Sequence, residues 1–328
     1  MYDTSRSVLP VAIFLALLYM ALAAWVAVMS DIYNTYRNYS KYTQMKLPEV
    51  VFVKHCPNLA PERKVFLEEH LKERVPIKDV RWIEDYNHDH PFVQWLNARY
   101  NLPYGPKLTS NFVKTLVMMK QMVDENVESA LHTDDDVCFH ADWVKYFESI
   151  PDDIESVGFL NLGTSPFFNL GPKMGELYQL PNNGGCECTW WSLDLVKNFL
   201  QNLNFEEASD IIIFGFLMSA KKPMLNMPLC HQTSDLVKVS TLDHETRKSS
   251  NWSAYVQNYK NLPKVSFDKL LEDFKEFEEK RKRVEDKFEE IYGQRVDIKN
   301  VKYILNDDPD HRLNILEYEL LVEDEVDI

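Results

Sequence analysis

Cysteine and basic side chains are scarce in this 328-residue chain, and each shortage excludes a class of protein. The five cysteines, an odd number, cannot be the framework of a small disulfide-stabilised domain. The 36 lysines and arginines are outnumbered by 51 aspartates and glutamates, which gives a formal net charge of −15. Because no basic stripe is present to neutralise phosphates, we do not expect nucleic acid as a partner.

Charged side chains are missing altogether from one stretch near the start of the chain. The 22 residues from Val8 to Met29 are uncharged. A helix of this length would measure roughly 33 Å, which exceeds a hydrocarbon core of about 30 Å. We predict a single-pass anchor within residues 1–29, type II by the usual plan, although the positive-inside rule leaves the orientation open. A cleaved signal peptide is the alternative, but its apolar region is usually only about 7–15 residues long.

Composition divides the remainder into a polar stem (30–47), a folded domain (48–262), and a charged helical appendage with an acidic tail (263–328). Forty-five per cent hydrophobic residues are sufficient for a core. We expect no core residue before Val50. Phe267 and the apolar residues that follow it at helical spacing predict a helix that continues to Tyr292.

Strand and helix patterns alternate within the folded domain. Val50 to Val53 is a continuous apolar run typical of a strand buried on both faces. Pro61 predicts the start of a helix that ends at Arg74. A second predicted helix has apolar residues at 112, 116, 119 and 123 and a cap at Thr109 or Ser110. Further runs predict strands over 80–83, 127–131 and 157–162. We therefore predict an α/β fold with a mainly parallel sheet flanked by helices.

Residues 163–185 are rich in Gly, Pro, Asn and aromatic residues, which predicts a long loop. Its aromatic residues Phe167, Phe168 and Tyr178 suit a lid over a ligand site, and a surface loop pinned by its own aromatic residues is the alternative. Helical character resumes at Trp190 and continues to Leu200.

Three consecutive aspartates, Asp134, Asp135 and Asp136, follow a predicted apolar strand. Acids at the carboxyl end of such a strand lie where α/β sheets bind ligands. Alternate side chains of an extended chain share a face, so we expect Asp134 and Asp136 to reach one cation together. Carboxylate oxygens suit Mg²⁺ or Mn²⁺. A solvated acidic turn is the structural alternative.

Several segments resemble family 25 glycosyltransferases, the enzymes of lipopolysaccharide and collagen galactosylation, which have relatives in large DNA viruses. Val50 to Glu69 resembles the family's opening strand, loop and helix, and Leu108 to Val137 resembles its helix, strand and acidic motif. Val157 to Gly163 and Cys186 to Leu200 are similar to later segments. The chain departs from the pattern because Asp134 replaces a glutamate and Thr109-Ser110-Asn111 replaces a Ser-His pair.

The resemblance implies a Rossmann-like GT-A fold and a nucleotide-sugar donor whose diphosphate is held by a metal. It implies Asp134 and Asp136 as metal ligands, Asp135 near the ribose or sugar, and Arg63 near the nucleotide. A helix-surface arginine is the alternative for Arg63.

An inverting transferase also needs a base for the acceptor hydroxyl. The acidic segment before Ile211 resembles the one that supplies it in GT-A enzymes, with Asp210 preferred over Glu207, although acids are also ordinary helix caps. His231 resembles the late histidine that is a third metal ligand in many GT-A enzymes, or it closes the domain as a polar residue.

Two other functions remain open. A metal-dependent hydrolase, such as a phosphodiesterase, would use the same aspartates. Such a hydrolase usually needs more His and Asp ligands than these aspartates provide. The group His88-Asp89-His90 contains such residues, but it lies in a hydrophilic stretch, where we expect it to be solvated. An inactive membrane tether would be expected to have lost the acidic motif. The sequence therefore favours a metal-dependent glycosyltransferase with a glycan acceptor.

Overall fold

The structure is a computed structural model that describes residues 45–100, 102, 105–151, 154, 156–164, 175–179, 185–205, 209–232 and 259–293. The predicted anchor, most of the stem, the acidic tail, Phe167, Phe168 and Glu207 lie outside these ranges. No helix within the ranges is long and apolar enough to cross a membrane, and this finding does not concern the segment before residue 45.

The described residues form a mixed α/β structure in which helices flank one eight-stranded sheet. The strands are β1 Val50–Lys54, β2 Asp79–Ile83, β3 Ser129–Asp134, β4 Val137–Phe139, β5 Phe159–Gly163, β6 Tyr178–Gln179, β7 Cys188–Ser192 and β8 Leu225–Gln232. The α-helices are α1 Pro61–Arg74, α2 Pro91–Arg99, α3 Gly105–Glu125, α4 Trp143–Glu148, α5 Leu193–Leu200, α6 Ser209–Ser219 and α7 Phe267–Tyr292, and a short 3₁₀ helix covers Tyr259–Asn261. The architecture is consistent with a Rossmann-like fold.

The sheet is mixed, so the prediction of a mainly parallel sheet is wrong. The strand order is β2-β1-β3-β7-β5-β8-β4, with β6 added to β8. β1 pairs in parallel with β2 and β3, and β5 with β8, but the pairings β3–β7, β5–β7, β4–β8 and β6–β8 are antiparallel. Parallel neighbours need a long crossover, usually a helix. The segment that leads from β5 to β7 carries no helical sequence pattern, and β7 returns antiparallel to β5.

Side chains of β1 alternate between two hydrophobic clusters, one on each face of the sheet. Val50 and Phe52 pack with α2, α3, α5, α6 and the start of α7. Val51 and Val53 pack with α1 and α4. Burial on both faces confirms the sequence-based prediction for this strand.

Met45 and Leu47 contradict the expectation that no core residue precedes Val50. Met45 is 1% exposed, and its backbone N–H donates to the carbonyl of Ile150 at 3.1 Å. Leu47 packs partly buried against the same cluster. The chain therefore joins the core about five residues before the first strand, because a methionine can fill an irregular gap without belonging to a regular element.

Helix α3 begins earlier than its sequence pattern indicates. Thr109 and Ser110 lie inside the helix and are buried, so neither caps it. The hydroxyl of Thr109 donates to the carbonyl of Gly105 at 3.0 Å, and that of Ser110 donates to the carbonyl of Tyr86 at 2.7 Å. Because each hydroxyl group donates a hydrogen bond to a backbone carbonyl, both residues can be accommodated within a helix. The stripe at Phe112, Leu116 and Met119 is buried as predicted.

Two other boundaries differ from their predictions. Trp190 and Trp191 belong to β7, and helix α5 starts only at Leu193. The two rings are buried on opposite faces of the sheet, each in a different hydrophobic cluster. This alternation is the two-residue period of a strand. The predicted loop 163–185 contains the short strand β6, and Tyr178 lies in it, paired with Asn226.

Helix α7 confirms the predicted charged helix. Ser266 caps it by accepting a hydrogen bond from the N–H of Lys269 at 3.2 Å, and Gly293 ends it in the left-handed conformation. Phe267 and Leu270 are buried in the same cluster as α3, while Phe274 and Phe277 pack against it partly buried. The first half of α7 therefore shares the core of the preceding domain.

Candidate functional site

The three aspartates lie at the carboxyl end of β3, beside the carboxyl end of β1. Lys54 and Asp134 are register partners in these two parallel strands. The ammonium of Lys54 lies 2.7 Å from Asp134 Oδ1 and donates to Asn111 Oδ1 at 3.0 Å. Partners in a parallel pair point to the same face, so the topology brings this ion pair together.

Asp135 and Asp136 continue from β3 as a turn rather than as strand. Asp135 Oδ2 lies 2.7 Å from His55 Nδ1, and its Oδ1 accepts from Arg63 at 3.1 Å. Asp136 Oδ2 accepts from the same Arg63 nitrogen at 3.2 Å. Because β3 ends at Asp134, the alternation expected to align Asp134 with Asp136 stops there. Arg63 is 3% exposed, so it is not a helix-surface arginine.

Burial controls the protonation of the acids. Desolvation, together with the negative charge of Asp134, raises the pKa of Asp136 to about 7, although Arg63 opposes the shift. Desolvation also raises the pKa of Asp134, against the positive charge of Lys54. Both carboxylates thus lie where additional positive charge would favour their ionised forms.

A buried basic side chain lies behind this cluster. Lys114 is 3% exposed and donates to the carbonyl of His55 and to Asn87 Oδ1, the latter at 2.8 Å. Burial lowers its pKa, with a smaller opposing effect from Asp135. Lys54, Arg63 and Lys114 therefore place three basic groups around the three aspartates.

Glu187 is a further acidic residue beside the aspartates, directly before β7, the strand that pairs with β3. Its carbonyl accepts from the N–H of Asp134 at 2.9 Å, and its side chain is only 3% exposed. Its carboxyl group lies over Gly163 in β5, where the Cβ of any larger residue would lie 2.3 Å from Glu187 Cδ. Only glycine at this position leaves room for the buried carboxylate.

Asp210 lies in the first turn of α6, and its Oδ2 accepts from the N–H of Gly185 at 3.4 Å. The charges of Asp210, Glu187 and Asp134 all add to the effect of burial in raising the pKa of the Cys186 thiol. Asp210 and Asp134 therefore both lie close enough to Cys186 for their charges to act on its thiol. Glu207 lies outside the described residues.

His231 lies at the exposed end of β8 and is the register partner of Cys138. The adjacent Gln232 reaches Asp136 Oδ1 at 3.5 Å, so the side chain of His231 is directed to the opposite face. Its charge acts instead on His70 of α1, whose pKa is lowered mainly by desolvation. Within the described ranges, no group of three or more His, Cys, Asp or Glu residues is arranged to hold a metal. The predicted trio Asp134, Asp136 and His231 is not assembled here.

Asp134 and Asp136 nevertheless fit a smaller role in cation binding. Mg²⁺ is usually bound through one or two carboxylates, with substrate phosphates and waters as its remaining ligands. Two desolvated carboxylates with raised pKa values match that donor set.

Lys54, His55 and Glu187 were not identified from the sequence. Lys54 and His55 lie at the end of β1 as Asp134 and Asp135 lie at the end of β3, so the rule that placed the acids at the sheet edge would also have found them. Glu187 had no such signal, because it precedes its strand and becomes part of the site only through antiparallel pairing with β3.

Two other polar groups have structural roles or lie apart from this cluster. His90 caps α2 by accepting a hydrogen bond from the N–H of Phe92 at 3.2 Å. Cys188 is buried in the hydrophobic cluster with Cys230. In the part of the chain that the structure describes, neither His90 nor Cys188 belongs to a group of three or more His, Cys, Asp or Glu residues that could hold a metal ion.

Comparisons with known proteins give no family assignment. No protein-family model matches the chain, and no curated protein matches it. A197 from STIV is 11% identical, with a TM-score of 0.36 over 56% of this chain and 83% of that one. A glycosyltransferase involved in the glycosylation of the major capsid of PBCV-1 is 10% identical, with a TM-score of 0.32 over 65% of this chain and 98% of that one. Similarities this low support no inference, and the resemblance to family 25 stays a prediction.

Proposed function

We propose that the protein is a metal-dependent, inverting glycosyltransferase that moves a sugar from a nucleotide-sugar donor to a hydroxyl group of a glycan, glycoprotein or glycolipid. One observation carries the proposal: acidic and basic side chains converge at the carboxyl ends of the adjacent parallel strands β1 and β3. Ligands of α/β sheets bind at such edges. Membership of family 25 and of the wider GT-A class belongs to the same proposal.

The cation would be Mn²⁺ or Mg²⁺, held by Asp134 and Asp136. When bound, it supplies positive charge that offsets the charge developing on the departing diphosphate. Arg63 already fixes Asp135 and Asp136 in one arrangement. In this arrangement Arg63 and Asp135 would orient the nucleotide, with Asp135 nearer the ribose or sugar.

Asp210 is the preferred base, and Glu207 is the alternative. The carboxylate would accept the proton of the acceptor hydroxyl while the hydroxyl oxygen attacks the anomeric carbon. The bond from that carbon to the diphosphate oxygen breaks, and the diphosphate leaves with the electron pair. His231 is not one of the proposed metal ligands, because its side chain is directed to the other face of β8.

The hydrolase alternative has less support. Two-metal hydrolysis needs a further cluster of His and Asp ligands, and the described ranges contain none. The tether alternative explains neither the buried ion pairs nor the intact acidic motif. Anchoring by residues 1–29 as a type II membrane protein is part of the proposal.

A screen of nucleotide sugars tests the proposed function. Full-length protein in detergent is incubated with each donor and Mn²⁺, with and without EDTA, and donor breakdown is measured. We expect breakdown of at least one donor that EDTA abolishes. Asp136→Ala should abolish it, whereas Asp142→Ala, a control on an exposed aspartate without a side-chain cap bond, should not. Activity that survives both Asp136→Ala and EDTA would show that the metal-dependent mechanism is wrong.

A further inference from the structure

Lys54 is a largely buried cation beside Asp134, one of the two carboxylates that the proposal assigns to a metal ion. Its side chain is 9% exposed, and its ammonium lies 2.7 Å from Asp134 Oδ1. Asn111 Oδ1 accepts a hydrogen bond from the same ammonium at 3.0 Å. A lysine whose head group is buried normally has a partner or a function, because burial of an unpaired ammonium is costly.

The charges of the cluster show what the ion pair does. When ionised, the three aspartates and Glu187 carry four negative charges, and Lys54, Arg63 and Lys114 carry three positive charges, which leaves one net negative charge. A divalent ion that binds Asp134 therefore meets an ammonium already on its ligand oxygen. Like charges this close repel strongly in a partly desolvated site.

Lys54 is better suited than Arg63 to give way. Arg63 contacts two carboxylates at once, while Lys54 contacts one. The Lys54 side chain is a flexible stem with a compact charge, whereas the guanidinium is a rigid fork. Asp134 is also the most exposed of the three aspartates, with 21% of its side chain accessible.

We propose that Lys54 is the internal counter-ion of Asp134 and a ligand of the donor diphosphate. Its ammonium neutralises Asp134 in the free protein, leaves it when a divalent cation binds, and then contacts the diphosphate. The inference rests on the proposed function and adds a binding residue to it. Cation alone should consequently bind weakly, and cation and diphosphate should favour each other's binding, since coupling between two ligands is reciprocal.

A single substitution should move the two affinities in opposite directions. Lys54→Met removes the competing charge, so Mn²⁺ alone, titrated by electron paramagnetic resonance of the free ion, should bind about tenfold tighter or more. Inorganic pyrophosphate, titrated calorimetrically with saturating Mg²⁺, should bind about tenfold more weakly, because the ammonium that contacts it once the cation is bound is missing. A residue that only supports the fold would weaken both ligands.

Lys64→Met is the matched control. Lys64 is paired with Glu84 at 2.7 Å and about one-third exposed, so its loss should change neither affinity. Lys54→Gln, which can still donate to Asn111, repeats the measurement if the methionine variant does not fold, as judged by circular dichroism.

The outcomes separate this inference from the proposed function. Unchanged or weaker Mn²⁺ binding by both Lys54 variants overturns the role of Lys54, even if the wild type consumes a nucleotide sugar. No binding of either ligand to any variant overturns it too. The predicted opposite shifts, combined with no turnover of any donor by the wild type, would leave Lys54 as a diphosphate ligand and refute the transferase.

Discussion

At the scale of single residues, Arg63 is the side chain on which two buried aspartates depend. One guanidinium nitrogen contacts both Asp135 and Asp136, at 3.1 and 3.2 Å. A buried ion pair adds little net stability compared with an apolar pair, but removal of one partner leaves an uncompensated charge. The site is therefore sensitive to the loss of either member.

Arg63→Ala should lower the free energy of unfolding by about 3–5 kcal/mol. Arg81→Ala is the control, because Arg81 makes partly exposed ion pairs with Asp79 and Glu125 and should cost only about 0–1 kcal/mol. Urea unfolding followed by tryptophan fluorescence measures both. Equal losses would mean that Asp135 and Asp136 do not rely on Arg63.

Gly163→Ala should destabilise the protein by about 1–3 kcal/mol, since the new Cβ would overlap the carboxyl group of Glu187. The clash disappears if Glu187 is shortened as well. In a double-mutant cycle, Gly163→Ala combined with Glu187→Ala should therefore cost less than the sum of the two single changes. Additive losses in urea unfolding would contradict the close approach of these residues.

At the scale of elements, α7 is divided between core and surface. Its first residues, Phe267 and Leu270, are 2% and 0% exposed, and Arg99 of α2 pairs with Asp273 at 3.1 Å. Further along, charged residues dominate, and the apolar side chains of Phe274, Phe277 and Val284 are only partly buried. The start of the helix thus works as a core element even though its composition is that of an appendage.

Phe267→Ala should cost about 3–5 kcal/mol of unfolding free energy, as expected for a large apolar side chain removed from a packed core. Val284→Ala, on the partly exposed second half of α7, should cost less than about 1 kcal/mol. Urea unfolding of both variants tests the predicted boundary at residue 263. A negligible effect of Phe267→Ala would place the whole helix outside the core.

At the scale of the whole molecule, the stem and the folded domain meet at Met45. Its burial and its backbone hydrogen bond to Ile150 tie the segment before β1 to the region after α4. The chain that follows the predicted anchor would therefore enter the folded domain by Met45, before the predicted boundary at residue 48.

A truncated protein that begins at residue 43 should be soluble and should retain donor breakdown. One that begins at residue 48 lacks the buried Met45 side chain and should be about 1.5–3 kcal/mol less stable. Thermal unfolding compares the two proteins. Insolubility of the longer form would show that residues 1–42 pack against the domain, and mass spectrometry of the mature protein would show whether residues 1–29 are retained.

The sequence determined what depends on local pattern. The apolar run at Val50, the proline at the start of α1 and the helical periods of α3 and α7 predicted elements that the structure contains. These signals depend on residues within one or two turns of each other, so no tertiary information was needed. The position of the aspartates after a buried strand had the same local origin.

Only the tertiary structure decided which strands are antiparallel and which side chains meet. Lys54, Asp134 and Glu187 are far apart in sequence, and they become neighbours because β3 pairs with β1 on one side and with β7 on the other. Direction and register of strand pairing depend on long-range packing and on how each connection returns to the sheet. For the same reason His231, a plausible ligand by its position in the sequence, is directed away from Asp136, because one step along a strand reverses the face.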